Sequence, residues 1–176
     1  MYLVSIYFDE ATNKRIQKYI NQVAEKSGNT FMLDGNVPPH ITVSAFEMQQ
    51  EEVVMEKLEY VVKGLQQGTL KWASVGQFFP YVMYIAPVLN EYLHDMSATL
   101  YDALVQMEGV KISPYYKPFQ WLPHTTIGKT LSNEQMRVAF EVLQNSFGMF
   151  EGKVVRIGLA KPNPHRDIKS WELRKD

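Results

Sequence analysis

"VPPHITVSAF", residues 37–46, and "LPHTTIGKT", residues 122–130, decide how this chain of 176 residues is read. Each stretch runs proline, histidine, any residue, threonine, then a β-branched residue. His40 and His124 are two of only four histidines in the chain. Proline is roughly 5% of ordinary sequence, so a single Pro-His is unremarkable, but two that also share the threonine are not. The repetition implies two related halves that each bring one histidine and one threonine to a shared site.

In a strand, successive side chains point to opposite faces. "HITVSAF" is therefore expected to place His40, Thr42 and Ser44 on one face, with Ile41, Val43 and Ala45 on the other. "HTTIG" places His124, Thr126 and Gly128 together, opposite Thr125 and Ile127. The small residues Ser44 and Gly128 are expected to leave room beside the imidazoles. Proline suits the position before each histidine, because a strand's first residue tolerates a missing donor.

Outward from these motifs, the same order of elements occurs twice. "YLVSIYF" (2–8) reads as a strand, and Asp9 caps a helix with Ile16, Ile20 and Val23 on its apolar stripe. A Gly- and Pro-rich loop leads to the first motif, followed by a helix over 50–66 and a strand ending in Val75-Gly76. "YVMYIA" opens the second half around a turn near Pro80. A helix over 88–108 comes next, burying Leu89, Leu93, Met96, Leu100 and Leu104. The loop "GVKISPYYKPFQWLP" then reaches the second motif. Ser132 and Gln135 form a capping box for the next helix. "KVVRIGLAKP", containing Ile157-Gly158, and "DIKSWELR" close the chain around the turn "NPHR".

A period of about 80 residues means two lobes, not a solenoid. The expected fold is α+β and bilobal: one domain over 1–176, with lobes near 1–78 and 79–176 that can exchange strands. Two antiparallel or mixed sheets face a central cleft, with helices packed outside.

Composition narrows the function. The absence of cysteine removes disulfides, thiolate zinc sites and thiol catalysis. No apolar run reaches the roughly 18 residues of a membrane span, and "MYLVSIYFDE" lacks the basic flank of a signal peptide. A cytoplasmic protein with no membrane partner, acting as a monomer, is expected. Formal net charge is −1, which points away from a broad duplex footprint and toward an end or a small fragment of nucleic acid.

Two imidazoles across a cleft suit in-line displacement at a phosphodiester. One takes a proton from the attacking oxygen and the other gives one to the leaving oxygen. An ordinary pKa near ~6.5 lets one be neutral while the other is charged. Threonine hydroxyls can donate to the non-bridging oxygens. No third metal-ligating residue lies at ligand spacing from His40 and His124, so metal binding there is not expected.

The motifs His40-Ile41-Thr42-Val43 and His124-Thr125-Thr126-Ile127 resemble those of the two-histidine phosphoesterase superfamily. That family includes 2'-5' RNA ligase and 2',3'-cyclic nucleotide phosphodiesterase proteins. The resemblance implies catalysis by both histidines, phosphate binding by Thr42 and Thr126, and no metal or other cofactor. It points to a cyclic phosphodiesterase acting on a nucleotide or RNA-end 2',3'-cyclic phosphate. The alternatives are a 2'-5' RNA ligase and a non-catalytic binder of RNA ends or nucleotides. Members specific for RNA ends often carry a basic residue shortly after a motif; here Phe46 and Glu47 come after the first and Lys129 after the second.

Further candidates for substrate contact are Tyr7, on the face shared by Ser5 and Leu3, Lys129, and Tyr115. Tyr115 belongs to the aromatic loop that also holds Tyr116, Phe119 and Trp121. His94 is expected to be solvated on its helix, and His165 to sit in a surface turn.

Overall fold

A computed structural model describes residues 1–162 and 165–175; the Asn163-Pro164 part of the expected last turn lies outside the described residues. The chain is α+β, with eight strands in one hydrogen-bonded sheet and five α-helices among the described residues. In chain order these are β1 (Tyr2–Phe8), α1 (Glu10–Ser27), α2 (Phe31–Asp34), β2 (His40–Glu47), α3 (Glu51–Val62), β3 (Gly68–Phe78) and β4 (Val82–Pro87). They are followed by α4 (Glu91–Val105), β5 (Lys111–Ile112), β6 (Thr125–Gly128), α5 (Asn133–Ser146), β7 (Phe150–Pro162) and β8 (His165–Glu172).

Every ladder between these strands is antiparallel. The order is β5-β2-β1-β7-β3-β4-β6, with β8 on the far edge of β7. The closing strands have changed places. β3 ends the first half of the sequence but pairs with β4 of the second, while β7 ends the second half and pairs with β1 of the first. Each lobe is thus built on a motif strand, an opening strand and the other half's closing strand: β2-β1-β7 and β6-β4-β3. The first residues of β7 pair with the first residues of β3, which joins the two expected sheets into one. β2 and β6 stand near opposite ends of this order, yet their Cα atoms come within 8 Å. The sheet therefore curls until its two motif strands meet.

Local signals in the sequence account for the helices. Asp9 accepts from the Thr12 backbone N–H at the start of α1, and Gly28 ends that helix at φ 71°, a conformation that costs glycine little. Ser132 and Gln135 form the expected capping box on α5. Asn90 accepts from the N–H of Leu93 and so starts α4 later than the apolar pattern predicts. Leu89 consequently precedes the helix and is exposed, whereas Leu93, Met96, Leu100 and Leu104 are buried. α1 packs on β6 and α5, and α4 packs on β2 and α3.

Candidate active site

Both motif strands carry a bulge at the same place. Ser5 of β1 faces Thr42 but Val4 faces Ser44, so Val43 is the extra residue; Tyr84 of β4 faces Thr126 but Met83 faces Gly128, so Ile127 is the extra one. A bulge re-aims the side chains beyond it. It corrects the expectation that Ser44 and Gly128 sit beside the histidines. Ser44 shares the face of its partner Val4, and Gly128 that of Met83, both fully buried core residues. Nor is the space at Gly128 open: a Cβ there would lie 2.9 Å from Leu131.

Before the bulge the alternation holds. His40 pairs with Tyr7 and Thr42 with Ser5, so these four side chains share the cleft face of β1 and β2. Rings of Tyr7 and His40 lie 6.1 Å apart, and the hydroxyls of Ser5 and Thr42 are 3.2 Å apart. Around His124 the neighbours are aromatic. Phe78 meets its ring edge-on at 4.8 Å and Tyr84 lies at 5.4 Å.

The two imidazoles are held in the same way. Nδ1 of His40 is 2.8 Å from the carbonyl oxygen of Pro38, and Nδ1 of His124 is 2.9 Å from that of Leu122. A carbonyl only accepts, so each Nδ1 carries the hydrogen. Each neutral ring is left with a lone pair on Nε2. The residue two before the histidine thus fixes both tautomer and ring orientation.

Burial lowers the pKa of His40 below its ordinary value, against the pull of the Pro38 carbonyl. The charges of His165 and His124 lower it further, and Asp167 opposes them. Burial also lowers the pKa of His124, opposed by the Leu122 carbonyl. The Tyr7 phenol is pushed up to about 12, chiefly by burial, and so stays a donor at neutral pH.

The third strand of each lobe makes room for the aromatic wall. A Cβ on Gly76 would lie 2.5 Å from the Tyr84 ring, and one on Gly158 would lie 2.9 Å from the Tyr7 ring. This is the physical content of the paired Val75-Gly76 and Ile157-Gly158 signals. Both glycines are flat floor under a ring.

The remaining candidates divide. Lys129 stands past the far end of β6, about 16 Å of extended chain from His124, with its ammonium 5.7 Å above the Phe31 ring of α2. Tyr115 is exposed on a 3-10 turn, while its neighbour Tyr116 turns inward. The Tyr116 pKa is raised by burial, and the 3-10 turn that carries it packs on β2, so Tyr116 is the aromatic of this turn that faces inward. His94 is not solvated: its ring stacks at 4.0 Å on Phe119, and it is half-buried beside Asp95. His165 begins β8, with Nε2 3.2 Å from an Asp167 oxygen. Arg156, which no motif or spacing singles out, places its guanidinium 4.7 Å over the Tyr7 ring.

The architecture matches solved structures throughout its length. A crystal structure described as a phosphoesterase superposes with TM-score 0.65 at 15% identity, covering 98% of this chain and 97% of that one. TT0787 of Thermus thermophilus gives 0.63 at 14% identity, with 99% and 98% covered. LigT of E. coli, in its complex with NADP+, gives 0.60 at 15% identity, with 98% and 96% covered. No curated protein matches the sequence. Fold and motifs together define a two-histidine phosphoesterase architecture. The family model described as the 2'-5' RNA ligase superfamily matches residues 10–166, and the chain belongs to that superfamily. Membership supports a phosphoesterase or RNA-ligase-like activity.

Proposed function

We propose that the protein is a metal-independent phosphodiesterase that opens a 2',3'-cyclic phosphate on a nucleoside or at the end of an RNA. The observation that carries this reading is the pair of matched hydrogen bonds, Pro38 carbonyl to His40 and Leu122 carbonyl to His124, which present two equivalent Nε2 atoms. One Nε2 takes a proton from water as its oxygen bonds to phosphorus. The bond from phosphorus to one ribose oxygen breaks, and the other imidazole, protonated, gives its proton to that oxygen. Both pKa values lie below the ordinary histidine value in the free site. A bound phosphate anion favours the charged form of a nearby imidazole, so substrate supplies the condition for one of the two to be the acid. Thr126, half-exposed, and Thr42, hydrogen-bonded to Ser5, are the donors to the non-bridging oxygens.

The family description favours a second reading, RNA ligation, in which the same residues run the reaction toward a 5'-hydroxyl end. Hydrolysis of the four 2',3'-cyclic nucleotides in excess chelator tests the first reading, with a pair of RNA ends added to test the second. Wild type should turn over at least one cyclic nucleotide, and His40→Ala and His124→Ala should not. Joining of ends without hydrolysis would replace the first reading with the second. Activity that needs a divalent ion would remove the metal-independent mechanism.

A further inference from the structure

β8 extends the His40 lobe beyond β7, and with it comes a pocket of about 240 Å³ bordered by Ile168 and Lys169 and walled by Tyr7, Arg156, Asp167 and Ser170. Among the described residues, no strand extends the His124 lobe in the same way. Register places these four side chains on one face. Tyr7 faces Arg156, Ser5 faces Gly158, and Gly158 in turn faces Ser170; a bulge at Ile168 then brings Asp167 opposite Ala160, on the same side. This is the face of His40. Lys169 borders the pocket as well, while its ammonium pairs with Glu59 of α3.

The volume is below the roughly 300–1,000 Å³ of sites that enclose a drug-sized ligand, so it fits one part of a ligand. A second phosphate is a poor occupant, because the Asp167 carboxylate faces the same space. A flat ring with hydrogen-bond donors on its edge is a good one. Arg156 already lies on the Tyr7 ring, and the outer face of a guanidinium is a platform on which bases stack. Asp167 accepts from His165 through one oxygen and has acceptor capacity left on both.

Building on the cyclic-nucleotide reading, we propose that this pocket takes the base of the substrate and prefers guanine. Guanine is the base that presents two parallel N–H donors on its Watson–Crick edge, matched to the two oxygens of one carboxylate. Adenine and cytosine offer Asp167 a single amino group, and uracil a single ring N–H. Arg156 supplies the stacking surface and Asp167 reads the edge.

Steady-state kinetics on guanosine and adenosine 2',3'-cyclic phosphates, with wild type and Asp167→Asn, tests this. A bidentate hydrogen-bonded pair to a charged group should favour guanosine by at least about tenfold in kcat/KM, chiefly through KM. The ratio should fall toward one in Asp167→Asn. An equal rate for both bases in wild type, or a ratio unmoved by Asp167→Asn, would overturn the proposal while leaving the hydrolase intact. Calorimetric titration of both proteins with guanosine and adenosine 3'-monophosphates reads the pocket without turnover. If neither cyclic nucleotide is hydrolysed, tighter guanosine binding that Asp167→Asn abolishes still upholds the pocket, and indifferent binding rejects it.

Discussion

On β2, the threonine of the motif faces Ser5 and the histidine faces Tyr7; on β6, the matching threonine faces Tyr84, and the histidine is boxed by Tyr84 and Phe78. Between the two ends the motif, the bulge after it, the carbonyl that holds each Nδ1 and the glycine under each ring are repeated. The strand beyond is not repeated: β8 with Arg156 and Asp167 borders one end, and among the described residues nothing corresponds to it at the other. The lesson is that the motif and the groups that hold it are symmetric, while the strand and pocket beside them are not.

The largest effects should come from the symmetric part. His40→Ala and His124→Ala should each lower kcat by roughly 10²–10⁴-fold. The double variant should be little worse than the poorer single one, since groups that act as a unit are not additive. Independent, multiplying losses in cyclic-nucleotide hydrolysis would break the idea of one shared site.

Next come the two glycines. Gly76→Ala and Gly158→Ala each drive a methyl group into a ring, at a typical overpacking cost of about 1–3 kcal/mol. The approach is closer at Gly76, so denaturant unfolding should show the greater loss there. A neutral Gly76→Ala would mean that Tyr84 moves freely, and the His124 wall would not be fixed.

The threonines should separate by burial. Thr42→Val leaves Ser5 without its partner in a buried setting and should destabilise by about 1 kcal/mol. Thr126→Val, at a half-exposed position, should stay within about 0.5 kcal/mol. Both should reduce turnover. Equal stability losses in chemical denaturation would contradict the difference in hydrogen bonding.

The smallest effect is on acid stability. Both folded histidine pKa values lie below the unfolded value near 6.5. The native state therefore binds fewer protons than the unfolded state once pH drops below that value, and stability falls on acidification while staying flat above it. Replacing His40 or His124 with Asn should flatten part of this decline between about pH 6.5 and 5. A wild-type stability that rises on acidification in that window would show that the imidazoles gain protons on folding.

Much of this was legible from the residues. The paired motif, the order of elements, the Asp9 and Ser132 caps and the hydrophobic-Gly pairs all report local constraints that one strand or one helix turn imposes. That the lobes can exchange strands was part of the reading, but which strands exchange was not, because it is a matter of which strands pair at long range, and either arrangement buries the same alternating residues. The bulges were hidden as well: Val43 and Ile127 are β-branched residues that read as regular strand, and a one-residue skip sends Ser44 and Gly128 to the opposite face. Tyr115 and Tyr116 are adjacent and identical, so only the 3-10 turn decides which of them faces inward. Arg156 lies over Tyr7, its cross-strand partner, a relation that no spacing along the chain reveals.

The most direct test of two imidazoles serving one phosphate is NMR of the ring nitrogens of His40 and His124, before and after one equivalent of a nucleoside 3'-monophosphate. The geometry predicts Nδ1–H tautomers for both free rings and a joint response of both Nε2 atoms that saturates at a single equivalent. A ring with its hydrogen on Nε2, or a response from one histidine alone, would contradict it.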